Sequence, residues 1–214
     1  EIKAIQTESI KISSLLVLPV AFALIFSPDV FVSVIFERGN FTHENTMIVA
    51  NCLRILGFAL PFVVYMKIFS SIFFSHENTK TPMYVALVCA FLNAVTSIIL
   101  MQFIGIYGII IGSAFSYIAD ALITFLLLKR KRLIILDVKD VLIFNLKVLL
   151  AGALFGVFCF FFLSYYGGTS YYKNVFEYSI FIKFLYLAIF GTIGVLLYCV
   201  LLKLLKVDFV KLFK

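Results

Sequence analysis

The sequence predicts an all-α membrane protein, a polytopic bundle of six transmembrane helices. Three observations carry this expectation. No residue between Lys80 and Asp120 bears a charge, and several other long apolar runs are separated only by short polar breaks. Hydrophobic residues make up 64% of the chain and charged ones 14%, with a mean hydropathy of +1.13. A hydrocarbon core about 30 Å thick needs roughly 20 apolar residues per helix, and a soluble domain could not hide so many runs of that length. Finally, the runs of Leu, Ile, Phe and Val lack both turn signals and the alternation of a barrel strand. Lipid offers no water to the backbone, so such segments satisfy their N–H and C=O groups as helices.

The charge breaks define the elements in order. Ile12 to Pro28 is the first span, and a further apolar stretch, Val30 to Phe36, continues to the interface. Met47 to Phe74 is the second, interrupted by Arg54 and Lys67, with a kink expected at Pro61 because proline withholds an N–H from the helix ladder. The uncharged run is too long for one helix. It divides at Gly105-Ile106-Tyr107-Gly108 into Pro82 to Ile104 and Gly108 to Leu128, an antiparallel hairpin. Val148 to Tyr166 is the fifth span and Ser179 to Leu202 the sixth. The fifth carries Phe155, Phe158, Phe160, Phe161 and Phe162 with no polar face, as suits lipid. Its Gly152-x-x-x-Gly156 pair would let another helix approach, although that spacing is common in apolar spans. Tyr165, Tyr166, Tyr171, Tyr172 and Tyr178 mark an outer interface.

Basic residues near span ends stay on the cytoplasmic side. With the N-terminus inside, the inner segments hold Lys3, Lys11, Lys80, the run Lys129-Arg130-Lys131-Arg132, Lys139, Lys147, Lys203, Lys206, Lys211 and Lys214. The outer ones hold only Arg38, Lys173 and Lys183, so both termini are expected in the cytoplasm. The net charge of +7 therefore needs no nucleic acid, and the usual nucleic-acid platform of alternating bases and aromatics is missing. The basic run reads as a stop signal resting on anionic lipid headgroups. Cys52, Cys89, Cys159 and Cys199 fall in separate spans without C-x-x-C spacing, and His43 and His76 occupy breaks on opposite faces, so no disulfide framework or metal site is expected. Absence of an initiator Met and a start at Glu1 within an amphipathic segment suggest a piece of a longer chain.

The polar residues inside the spans are the candidates for function. Arg54 lies about two turns into the second span, where a charge is costly unless it snorkels or faces water or a partner. Lys67 is nearer the inner end. Asp120 in the fourth span either pairs with Lys67 or Arg54 or couples to a proton or cation. Asn93 and Ser97 share a face of the third span at i and i+4, where Ser113 and Ser116 of the hairpin partner can meet them. Interhelical hydrogen bonding is one reading and a sodium-type oxygen site the other. Arg38 and Gly39 form a turn with Thr42 placed to cap the next helix, and Pro82 suits a first helical turn. No His/Glu pair, Ser/Lys dyad or paired carboxylates occur within the spans, which disfavours an intramembrane enzyme.

The segment Phe36-Glu37-Arg38-Gly39-Asn40-Phe41-Thr42, followed after one span by Phe73-Phe74-Ser75-His76-Glu77-Asn78-Thr79-Lys80-Thr81-Pro82 and then Leu92-Asn93, resembles the MurJ (MviN) lipid II flippase family. The motif-bearing likeness covers about residues 15 to 130. It implies a fourteen-helix exporter of two six-helix lobes and two extra helices, of which this chain is the C-terminal part. Residues 1–132 would be the last four helices of the C-terminal lobe and 133–214 the two additional ones. The implied activity is alternating-access transfer of lipid II, or another polyprenyl-diphosphate-linked sugar, from the inner to the outer leaflet of the bacterial cytoplasmic membrane. The missing N-terminal lobe and membrane lipids are the implied partners. The functional reading gives Arg54 and Lys67 to a cavity that attracts the substrate diphosphate and Arg38 to gating of the outer opening; the alternatives are snorkelling to the headgroups for Arg54 and Lys67 and a topogenic turn for Arg38. Asp120, Asn93, Ser97 and Ser113 are then candidates for Na+ or H+ coupling, with no other cofactor. A drug or polysaccharide-lipid exporter of the same superfamily is the alternative. Two departures stand out: Asn78 occupies a position where the family commonly has Asp, and Ser71 replaces a basic residue, leaving Lys67 as the nearest substitute.

Overall fold

The computed structural model describes residues 2–136, 138–166, 180–205 and 207. Among them the chain forms α1 (Ile2–Phe26), α2 (Pro28–Phe36), α3 (His43–Ser75), α4 (Lys80–Ile104), α5 (Ile106–Arg130), α6 (Val138–Tyr166) and α7 (Ile180–Leu204). All but α2 contain a stretch long and apolar enough to cross a membrane. The side chains of Phe162, Tyr165, Tyr166 and Lys183, and the residues Tyr171, Tyr172, Lys173, Tyr178, Ser179, Lys206, Lys211 and Lys214, lie outside what is described.

The helices outrun the expected spans because charge marks where lipid ends, not where a helix ends. α1 starts at Ile2 instead of Ile12: Lys3 and Glu8 stay on its outer side while Gln6, Thr7, Ile10 and Ser14 are buried at helical spacing. α6 likewise starts at Val138 instead of Val148, taking in Lys139, Asp140 and Lys147. α3 has 33 residues, about 50 Å at 1.5 Å per residue, and continues through Pro61. The α4–α5 break is tighter than expected. Gly105 alone, at φ 60°, separates the helices, and Ile106 and Tyr107 already belong to α5. Few other residues tolerate this positive φ.

The chain divides into two compact units, each assembled from distant stretches of sequence. The first comprises Glu1–Val17 and Phe58–Asn145. Its core is Ile10, Phe69, Ile72, Phe73 and Leu128, flanked by Tyr65, Phe125, Leu133 and Ile134. Ser14 Oγ meets the Tyr65 hydroxyl at 2.9 Å, and Lys11 forms an ion pair with Asp140 while lying 5.4 Å from the Phe144 ring centroid. The connection into α6 is held by Gln6, whose Nε2 donates to Leu133 O at 3.2 Å and whose Oε1 accepts from Ile135 N at 2.9 Å. The hairpin closes on a seam of small residues. A Cβ on Gly108 would sit 2.4 Å from the Leu100 carbonyl carbon and one on Gly112 2.4 Å from Ser97 Oγ, while Ser116 Oγ donates to Cys89 O at 2.7 Å.

Both α3 and α5 end in Schellman motifs. Asn78 N–H reaches Phe73 O at 3.0 Å and Glu77 N–H reaches Phe74 O at 3.0 Å; Leu133 N–H and Arg132 N–H close on Leu128 O and Lys129 O at 3.1 Å. The left-handed position is filled by Glu77 and Arg132, each at φ 56°, where glycine is the usual occupant. Glu77→Gly is therefore expected to stabilise the fold by up to about 1 kcal/mol, seen as a higher midpoint of thermal unfolding in detergent. Beyond that turn Asn78 Oδ1 accepts from Thr81 N at 3.2 Å and Thr81 Oγ1 at 3.0 Å, capping α4.

The second unit comprises Leu18–Gly57 and Leu146–Lys214. Here Gly152 and Gly156 of α6 receive the rings of Phe22 and Phe26 of α1, within 2.6 and 2.5 Å of where Cβ atoms would stand. The glycine pair is thus a socket for aromatic rings. The fifth span is also less uniformly lipid-facing than its composition implies. Phe155 is buried against Gly194 and Tyr198, whereas Phe160 and Phe161 are exposed.

Candidate functional site

A serine followed by a proline breaks the first span. Ser27 leaves the helix at φ −139°, ψ 44°, and α2 restarts with Pro28 at its first position. Proline has no N–H for the carbonyl four residues earlier, so the end of α1 is left with orphan acceptors. Ser27 N and Oγ both turn back to Ala23 O, at 2.9 and 3.0 Å. The carbonyl of Ile25 is taken by α3, because Arg54 Nε donates to it at 3.0 Å. Arg54 Nη1 donates to Asn51 Oδ1 at 2.7 Å. These bonds use only part of the guanidinium's donor set. Arg54 is half-buried and points at protein, as a charge in a span must. One turn further on, Gly57 lets α3 pass close to α1, since a Cβ there would lie 2.9 Å from Ile25 Cγ1 and 3.2 Å from Ala21 O.

The turn between α2 and α3 is built as expected, with one addition. Gly39 adopts φ 59°, Phe41 N–H donates to Arg38 O at 3.1 Å and Thr46 N–H to Thr42 O at 3.1 Å. Arg38 is exposed. The residue that locks the turn is its neighbour Glu37, which accepts from Thr46 Oγ1 at 2.8 Å and faces His43 Nδ1 at 3.5 Å. An acid beside a better-known Arg-Gly pair gives little sequence signal of its own.

The remaining candidates lie in the first unit. Lys67 is exposed on α3. Asp120 accepts from Thr124 Oγ1 at 3.0 Å on its own helix, and this bond stands in place of the expected ion pair with Lys67, while Arg54 is engaged with Ile25 and Asn51. Asn93, Ser97 and Ser113 do come together: Ser97 Oγ and Ser113 Oγ donate to Asn93 Oδ1 at 2.9 and 3.4 Å, and both hydroxyls also lie within reach of Ile109 O, at 3.3 and 3.1 Å. The oxygens of this set already serve one another and carry no net charge. A sodium ion would have to displace these bonds without gaining a carboxylate, so the residues fit interhelical bonding better than a cation site. Among the described residues no three His, Cys, Asp or Glu side chains gather, and the four cysteines are free.

Over residues 1–201 the chain matches the family model described as Lipid II flippase MurJ. It belongs to that family. Its relatives include the probable lipid II flippase MurJ of Rhizobium meliloti (strain 1021), 33% identical over 56% of this chain and 23% of that protein. That of Rickettsia prowazekii (strain Madrid E) is 32% identical over 51% of this chain and 22% of the relative. The chain thus aligns with about a quarter of the length of these MurJ proteins. A solved lipid II flippase MurJ in an inward closed conformation superposes with a TM-score of 0.72 at 21% identity, covering 98% of this chain and 40% of that one. At that identity the likeness speaks for the fold: an all-helical MurJ arrangement in a membrane protein.

Proposed function

We propose that this chain is the C-terminal part of a lipid II flippase that works by alternating access, moving lipid-linked peptidoglycan precursor from the inner to the outer leaflet of the bacterial cytoplasmic membrane. The observation that carries the reading is the family match across residues 1–201 on a chain with six membrane-length helices. In this reading residues 1–132 complete the C-terminal lobe, 133–214 add two helices, and an N-terminal lobe supplies the other wall of the cavity. The bias of basic residues toward one set of segments supports a cytoplasmic location for both termini. No covalent step is involved.

Arg54 and Lys67 are assigned to the substrate diphosphate, Arg54 through the donors its two protein bonds leave over and Lys67 as an exposed point charge. Arg38, exposed at the α2–α3 turn, is assigned to the outer opening. Any coupling to H+ or Na+ falls to Asp120, because Asn93, Ser97 and Ser113 supply only neutral oxygens. In the full-length transporter reconstituted in vesicles, Arg54→Ala and Lys67→Ala should each slow lipid II translocation roughly 10- to 100-fold, the loss of one charge-assisted hydrogen bond. Wild-type rates in both variants would remove these residues from the substrate path.

A further inference from the structure

We infer that Arg54 is a positioning residue that pins the broken junction between α1 and α2 to α3, so that the interruption at Ser27 and Pro28 is stable only while the guanidinium occupies the Ile25 carbonyl. Ser27 and Pro28 are fully buried and Ile25 is half-buried, which leaves the end of α1 little access to water. A carbonyl shielded from water and without a donor is costly, and the N–H that a continuous helix would bring to Ile25 belongs to Asp29, beyond the break. Arg54 Nε supplies the substitute at 3.0 Å. Its aim is fixed from the other side by Asn51 Oδ1 at 2.7 Å, and the close approach needed for the reach is provided at Gly57. A cation also suits this place electrostatically, because the C-terminal end of a helix carries the negative pole of its dipole. Arginine thus replaces the capping glycine or solvent that ends a helix elsewhere, and it ties two spans together where a hinge would otherwise be loose.

The test uses the full-length transporter with its native cysteines replaced by serine and Ser27→Cys introduced, labelled with N-ethylmaleimide in membranes without substrate. With Arg54 present the thiol should be protected. Arg54→Ala should raise its labelling rate at least about tenfold by letting the junction open, and Arg54→Lys, which can still donate to one carbonyl, should stay near the parent. Adding Pro28→Ala to Arg54→Ala should restore protection, since an N–H at position 28 lets the helix continue and gives Ile25 its own donor. Unchanged labelling in Arg54→Ala, or no recovery with Pro28→Ala, would overturn the inference. If Arg54→Ala does not accumulate, recovery of accumulation by Pro28→Ala supports the pin and failure to recover rejects it. Because substrate is absent, this result is separate from any loss of lipid II translocation.

Discussion

Gly108→Val is expected to prevent the α4–α5 hairpin from closing. A Cβ at this position would stand 2.4 Å from the carbonyl carbon of Leu100, 2.5 Å from its oxygen and 2.5 Å from Met101 N. All three are backbone atoms of α4, so no rotamer change relieves the clash and the helices must part. Overpacking costs typically about 1–3 kcal/mol and more where the surroundings cannot yield. Separating the helices would also stretch the Ser116 to Cys89 O bond. The variant should give little monodisperse protein by size-exclusion chromatography in detergent, with a sharply lowered unfolding midpoint. Gly191→Val is the control: nothing lies within 4 Å of its Cβ position, and both readouts should match the parent. A normal midpoint for Gly108→Val would mean that α4 and α5 do not meet there.

Phe73→Ala should be nearly as damaging. Its ring is fully buried among Ile10, Phe69, Ile72 and Leu128 and carries Lys131 Nζ 5.7 Å from its centroid. Emptying such a site costs about 3–5 kcal/mol through lost contacts and the cavity left behind, and the cation–π contact goes with it. Phe74, the next residue, is 52% exposed, and Phe74→Ala should change stability by no more than about 0.5 kcal/mol. The pair can be compared by thermal unfolding in one detergent. Equal losses would contradict the burial that distinguishes these neighbours.

The difference between those two phenylalanines also shows why the sequence revealed some features and concealed others. The number of membrane-length helices followed from hydrophobic run length, since lipid imposes a minimum that composition displays directly. Helix starts did not follow, because Lys3, Glu8, Lys139 and Asp140 sit on helical turns that continue beyond the apolar stretch. Asn93, Ser97 and Ser113 could be brought together on paper because helix periodicity and a tight turn leave the hairpin few registers. Ser116 does reach across the hairpin as its position suggests, though to Cys89 O, whereas the packing role of Gly108 and Gly112 beside it had as its signal only small residues four apart in an uncharged run. Asp120 and Arg54 were placed inside spans correctly, yet their partners are a threonine one turn away and a backbone carbonyl across a helix break. Opposite charges invite pairing on paper, but a main-chain acceptor leaves no mark in a residue pattern.

Gln6 has a consequence for how the final helices are launched. A primary amide presents one donor and one acceptor side by side, and here they engage the carbonyl and N–H that flank Ile134. Sliding the segment by a single residue would turn this carbonyl and N–H away from the amide and leave both of its hydrogen bonds unmade, so the segment leading to α6 has one seating, much as a key has one notch. The approach to α6 is therefore tied to a side chain on the opening turns of α1, more than 120 residues earlier in the chain.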